Sequence, residues 1–113
     1  MPVEKWSDKV TIVHLGDDPQ FSDDMDSVSA LTPPPQNCVL DFSVVHHVNS
    51  SNIASLLRLR RQVSEKNGKL VLCNVGNQVW STILITGLDN IFEFSENVTT
   101  ALATIQMKAP NNR

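Results

Sequence analysis

Asn37-Cys38-Val39-Leu40-Asp41-Phe42, a polar break at Ser43, and then Asn49-Ser50-Ser51-Asn52-Ile53 opening a long periodic run form the stretch on which the fold turns. The first six residues are nearly continuous in apolar character, the pattern of a strand covered on both faces. Residues 43–48 read as a connecting loop. From Ser50 or Ser51 to Lys66 the period becomes helical, with Ile53, Leu56, Leu57, Arg60 and Val63 on one stripe. Arg58, Arg60, Arg61 and Lys66 gather toward its C-terminal half, where the helix dipole favours cations. Arg60 is expected to lay its stem along the core stripe. Gly68 stands where a left-handed stop is needed.

The same alternation extends in both directions. Downstream, Lys69 to Asn74 reads as another buried strand, and Asn77 as the cap of a helix carrying Val79, Trp80, Ile83 and Leu84, closed by Gly87. Trp80 is expected in the core and Trp6 partly exposed. Ile91-Phe92-Glu93-Phe94 reads as a strand, and a last helix after Ser95 or Glu96 places Val98, Ala101, Leu102 and Ile105 on one face. Upstream, Val10 to Leu15 is β-branched and stops at the turn Gly16-Asp17-Asp18-Pro19, with a short partner strand near Glu4 to Ser7. Phe21, Met25, Val28 and Leu31 mark a helix whose first turns carry Asp23, Asp24 and Asp26, and Thr32-Pro33-Pro34-Pro35 ends it. Strand and helix alternate from Asn37 to Met107, which implies a largely parallel sheet with right-handed crossovers. The expectation is one α/β domain over residues 1–113, with a mostly parallel four- to five-stranded sheet and helices packed against it. Residues 1–8 and 108–113 are expected as loosely ordered ends.

Composition narrows the function. A chain of 113 residues buries roughly two-thirds of its unfolded surface, so it needs no metal or disulfide staple. Cys38 and Cys73 sit in apolar runs and read as buried free thiols. A net charge of −3 and the absence of Tyr argue against a phosphate-binding or base-stacking surface, hence against nucleic acid. No apolar run reaches the length of a membrane span, and Met1-Pro2-Val3-Glu4-Lys5 lacks a signal-peptide pattern, so a cytoplasmic protein without membrane insertion is expected. His46 and His47 are adjacent and point to opposite sides of an extended segment, so they read as solvated loop residues. Asp17, Asp18, Asp23, Asp24 and Asp26 lack the spacing of a calcium loop and read as a solvated acidic face. No nucleophile is spaced with a base, so no enzyme, metal, cofactor or small-molecule substrate is expected.

Several ordered segments carry a resemblance. Val39-Leu40-Asp41-Phe42-Ser43 leads to Val48-Asn49-Ser50-Ser51, followed by Leu56-Leu57-Arg58-Leu59-Arg60-Arg61, Asn67-Gly68-Lys69-Leu70-Val71-Leu72 and Thr86-Gly87-Leu88-Asp89-Asn90-Ile91-Phe92. In this order they resemble the STAS domain shared by anti-sigma factor antagonists and sulfate transporter tails, from about Val39 to Ile105. What the resemblance implies is an antagonist that binds an anti-sigma factor with serine kinase activity and is released when a serine at the start of the long helix is phosphorylated.

In the family that site reads Asp-Ser-Ser-Gly or close to it. The phosphorylated serine carries over to Ser50, with Ser51 as fallback, and the partner-binding positions to Asn49, Ser50, Ser51 and Asn52. Asp17 and Asp18 would border the same surface, where an acidic rim could steer a basic partner. This chain departs from the pattern twice: Asn49 replaces the Asp and Asn52 the Gly. The first removes a carboxylate that could orient the hydroxyl; the second adds a side chain at a position of close approach. These departures favour the alternative implication, a STAS scaffold or interaction subunit without phosphate switching, for example associated with a transporter or a larger signalling complex.

Overall fold

A computed structural model of the chain describes residues 3–31 and 35–107. Five strands form one sheet in the order β1 (Val3–Lys5), β2 (Val10–His14), β3 (Asn37–Asp41), β4 (Leu70–Cys73) and β5 (Glu93–Ser95). β1 runs antiparallel to β2, pairing Val3 with Val13, and the other pairings are parallel. Residues 3–5 are thus a paired edge strand rather than part of a loose end. The expected tail at 108–113 and the stop at Thr32-Pro33-Pro34 lie outside the described residues.

Both faces of the sheet are covered, which is why its strands read as continuous apolar runs. On one face Val13, Cys38, Leu40, Leu70 and Leu72 meet α1 (Gln20–Ser29), α2 (Ser50–Glu65) and α3 (Asn77–Ile85). On the other, Val10, Ile12, Val39, Val71 and Cys73 meet Ala101 and Ile105 of α4 (Val98–Met107). The period of two along each strand sorts its side chains between these two cores. Cys38 and Cys73 are buried and unpaired, and burial pushes both thiols up to about 12, with the Asp41 charge adding to the rise at Cys73.

Five local expectations change. The buried stripe of α2 is Asn52, Ser55, Leu56, Leu59 and Val63, whereas Leu57 and Arg60 are exposed and Ile53 is half-buried. The stripe is rotated toward Leu59 because Leu56, Leu57 and Leu59 fit two apolar faces, and the packing of α2 on α1 and the sheet selects one. Arg60 lies off the core, its Nε donating to the Ile91 carbonyl at 3.1 Å.

At the end of α2 the left-handed residue is Asn67 (φ 59°), not Gly68. Gly68 N–H donates to the Val63 carbonyl and Asn67 N–H to that of Ser64, both at 2.9 Å, the bonding of a Schellman stop. Glycine is required at 68 for room, since a Cβ there would collide with the Gln36 carbonyl oxygen. The N-cap of α3 is Gly76, with Asn77 the first helical residue, and Gly87 (φ 75°) does close that segment. Trp80 is 36% exposed and stands edge-on to Phe94 with ring centroids 5.0 Å apart, rather than lying in the core. Trp6 is 43% exposed.

Candidate functional site

The loops after β2, β3 and β4 all leave the sheet at the C-terminal ends of its parallel strands, where open α/β sheets present their working surface. The start of α2 lies here. Asn49 is its N-cap, in extended conformation (φ −111°, ψ 179°). The Asn49 side-chain oxygen accepts from the Asn52 amide at 2.8 Å, and the Asn52 side-chain oxygen accepts from the Asn49 amide at 3.0 Å. This reciprocal capping box normally uses Ser or Thr with Glu or Gln; here two asparagines make it.

Their remaining amide groups are not idle. Asn49 Nδ2 and Asn52 Nδ2 both donate to Asp18 Oδ2, at 3.0 and 2.9 Å. Asp18 Oδ1 accepts from the Ser22 hydroxyl at 2.7 Å and the Ser22 amide at 2.9 Å. The Ser22 hydroxyl, then Asn52, the Ser22 amide and Asn49 hold the Asp18 carboxyl down to about 2. Asn52, at 2% exposure, is buried among these partners. The two positions that depart from the family pattern therefore form one unit with Asp18, across a separation of 31 and 34 residues.

Asp17 does a similar task on the preceding loop. Its Oδ1 accepts from the His46 amide at 2.7 Å and the His47 amide at 3.2 Å, and its Oδ2 accepts from His46 Nδ1 at 2.8 Å. Those bonds, the His46 amide first, lower its pKa to about 2. His46 and His47 are exposed loop residues as expected, and His46 is in addition anchored by a carboxylate.

The acidic residues do not form one solvated face. Asp17 and Asp18 are engaged as acceptors within the chain, and Asp24 is buried, taking Gln20 Nε2 at 2.8 Å on Oδ1 while its Oδ2 has no hydrogen-bond partner among the described residues. Asp23 and Asp26 remain exposed. Ser50 and Ser51 are exposed on the first turn of α2, between the two asparagines.

A second polar group sits beside this surface. His14 Nδ1 is 2.8 Å from Asp41 Oδ2 and Nε2 is 3.2 Å from Glu4 Oε1. Carboxylate oxygens accept and do not donate, so both contacts are satisfied together by the imidazolium form. The Asp41 bond chiefly raises the His14 pKa, against some loss from burial. Burial pushes Asp41 up, but the bonds from Asn74, His14 and Ser43 outweigh it and the net shift is downward. Asp41 Oδ1 holds the Ser43 amide at 3.0 Å and Asn74 Nδ2 at 2.9 Å, joining the loops that follow β3 and β4.

Of the residues singled out by sequence, Asn49, Asn52 and Asp18 share one network that fixes the turn carrying Ser50 and Ser51, while Asp17 bonds separately to His46 and His47 on the loop before it. The supporting parts that sequence reasoning missed are Ser22 and His46, neither of which has a local signal. A cavity of about 530 Å³ lies at the opposite end of the strands, lined in part by Trp6, Lys9, Asn37 and Lys69, away from this network.

Comparison with known proteins places the fold. The family model of the STAS domain matches residues 3–101. Among solved structures, a Thermotoga maritima protein proposed to be an anti-sigma factor antagonist superposes with a TM-score of 0.81 at 17% identity, covering 93% of each chain. The Bacillus cell fate determinant SpoIIAA in its phosphorylated form superposes with a TM-score of 0.70 at 14% identity, covering 91% of this chain and 96% of that one. A sulfate transporter family protein from Wolinella succinogenes gives 0.70 at 11% identity, covering 88% and 84%. At these identities the likeness is one of fold. No curated protein matches the chain by sequence.

Proposed function

The chain belongs to the STAS domain family, and from that premise we propose that it is a regulatory binding module of the anti-sigma factor antagonist type. It docks on an anti-sigma factor with serine kinase activity through the loop and helix beginning at Asn49, and Ser50 is the acceptor of the switching phosphate, with Ser51 as fallback. The observation that carries this reading is the presentation of two exposed hydroxyls on a helix start fixed by the Asn49–Asn52 box and by Asp18. A hydroxyl held this way loses little freedom on entering a partner's active site, and ordering entropy is a main cost of association. Phosphorylation would then add about two negative charges to the docking surface. That charge stands within the docking surface itself, where it must be desolvated for the partner to seat and so weakens the contact.

The same network supports a second reading. In an unoccupied helix start a phosphate gains from free amide donors and the dipole. Here the Asn49 and Asn52 amides are already taken and an anion already stands at the helix start. That favours a STAS scaffold or interaction subunit whose surface is fixed and never switched.

Incubation with ATP and a kinase-type anti-sigma factor of the same organism, followed by mass spectrometry, separates the two. The switch requires a phosphopeptide containing Ser50 that disappears in Ser50→Ala. Stable binding with no phosphate incorporated leaves the scaffold.

A further inference from the structure

The cavity of about 530 Å³ at the N-terminal ends of the parallel strands takes no part in the network around Asn49. Its size falls within the range of small-molecule sites, roughly 300–1,000 Å³. Val10 and Asn37, at the starts of β2 and β3, line it together with Ile105 of α4 and Trp6 on the turn between β1 and β2. Trp6 is 43% exposed and stacks on no other aromatic ring among the described residues. A water-exposed indole beside an apolar wall is a platform for a planar ring, since paired aromatic rings gain more than the area they bury.

Backbone bonds fix the frame around that platform. The Trp6 and Ser7 amides both donate to the Val10 carbonyl, at 3.0 and 3.1 Å, and close the turn that carries the indole. Asn37 Nδ2 donates to the Lys9 carbonyl at 3.1 Å, and Asn37 Oδ1 accepts from the Lys69 amide at 2.8 Å. One side chain thus sets the spacing of two lysine-bearing segments that both line the cavity. A site held on strand starts in this way is formed before any ligand arrives, which lowers the ordering cost of binding.

Charge selects the ligand. Lys69 Nζ lies 3.0 Å from Glu93 Oε1, and Asp8, also on the lining, is answered by Lys5 Nζ at 3.9 Å. Lys9 has no ion pair among the described residues, so the lining carries one uncompensated positive charge. That matches a carboxylate and not a phosphate monoester, which brings close to two negative charges. We propose that this cavity binds a small aromatic carboxylate, its ring between Trp6 and the apolar wall of Val10 and Ile105 and its charge on Lys9. The site is separate from the serine switch and stands or falls independently of it.

Titration of naphthoate into the isotope-labelled full chain, followed through its amide and indole N–H resonances, tests it. Saturable shifts are expected at the Trp6 indole and at the amides of Lys9, Asn37 and Lys69. Trp80, 36% exposed on α3, is the internal control and should not move. Uncharged naphthamide is expected to bind about fivefold more weakly, the size of one exposed charge pair. Lys9→Gln should weaken naphthoate to the same degree and leave naphthamide unchanged. Trp6→Ala should weaken both compounds about tenfold, through the lost ring contact. The absence of saturable shifts up to millimolar naphthoate overturns the proposal. So do equal shifts at Trp6 and Trp80, which mark indiscriminate adhesion to exposed indoles, or equal affinities for naphthoate and naphthamide. An inorganic phosphate titration that moves the same resonances more tightly than naphthoate would overturn the assignment of the ligand as a carboxylate.

Discussion

The starts of α2 and α3 occupy equivalent places, each following a parallel strand at the same end of the sheet, yet they are built by different physics. α2 begins at an asparagine whose side chain and backbone are both bonded within the capping box, and that box is bonded in turn to Asp18. α3 begins at Gly76, in extended conformation and with no side-chain cap bond, and is held by Val79 and Ile83 in the core. Directional bonds fix where the first turn of α2 points whatever its outer face does. Apolar packing fixes α3 without specifying its outer face, which carries no charge. The first construction fixes where Ser50 and Ser51 stand; the second fixes the inner side of α3 alone.

The comparison can be broken most forcefully in the core. Leu59→Ala, at a fully buried position of α2, should lower stability by about 3 kcal/mol in urea denaturation, while Ile85→Ala on α3 should stay within about 0.5 kcal/mol. Equal losses would mean that the exposed face of α3 is not exposed in solution. Next comes the cap. Asn52→Ala removes a buried amide, strands the Asn49 N–H and takes a donor from Asp18, a loss of about 2 kcal/mol. Asn77→Ala at the first residue of α3 should cost no more than about 0.5 kcal/mol.

The charged groups sharpen the difference through pH. Asp17 and Asp18 titrate near 2 in the folded chain against an ordinary 3.8, so the stability they contribute is complete above 3.8 and is lost as pH falls from there toward 2. The double variant Asp17→Asn, Asp18→Asn should be less stable at neutral pH and flatter over that acid range, read as melting temperature against pH. His14 has the opposite sign. Its pKa is raised, so its contribution is complete below 6.5 and is lost as pH rises through the raised value. His14→Gln should remove that decline on the alkaline side, and an unchanged pH profile would show that the bridge from Glu4 to Asp41 is not formed. The smallest effect is a gain. Gly76→Ser gives α3 the side-chain cap it lacks and should add a few tenths of a kcal/mol, roughly the difference between glycine and serine at an N-cap.

Much of this was legible in the chain. The strands from Asn37 and Leu70 declared themselves because parallel strands covered on both faces must be apolar throughout, and the start of α2 because Asn49 and Ser50 have the chemistry of caps. What was not legible depends on distance in sequence or on a choice between near-equal alternatives. Nothing local pairs Asp18 with residues 31 and 34 positions away, so two functional-looking aspartates read as a solvated rim when one holds a helix start and the other a loop. Leu56, Leu57 and Leu59 permit two stripes, and the neighbour α1 decides between them. Asn67 and Gly68 both tolerate a stop; the crowding by Gln36 that reserves 68 for glycine is a tertiary fact. Trp80 misled because a large aromatic in a helical period usually points inward, and here it lies at the flank of the buried stripe.

The most direct measurement is the affinity of a kinase-type anti-sigma factor for this chain, by calorimetric titration, with charge placed at two sites on the same helix. Ser50→Glu, beside Asp18 and the capping box, should weaken binding about a hundredfold, while Ser64→Glu, exposed near the far end of α2, should leave it unchanged. Equal affinities for the two variants and the wild type would contradict a docking surface at the start of α2.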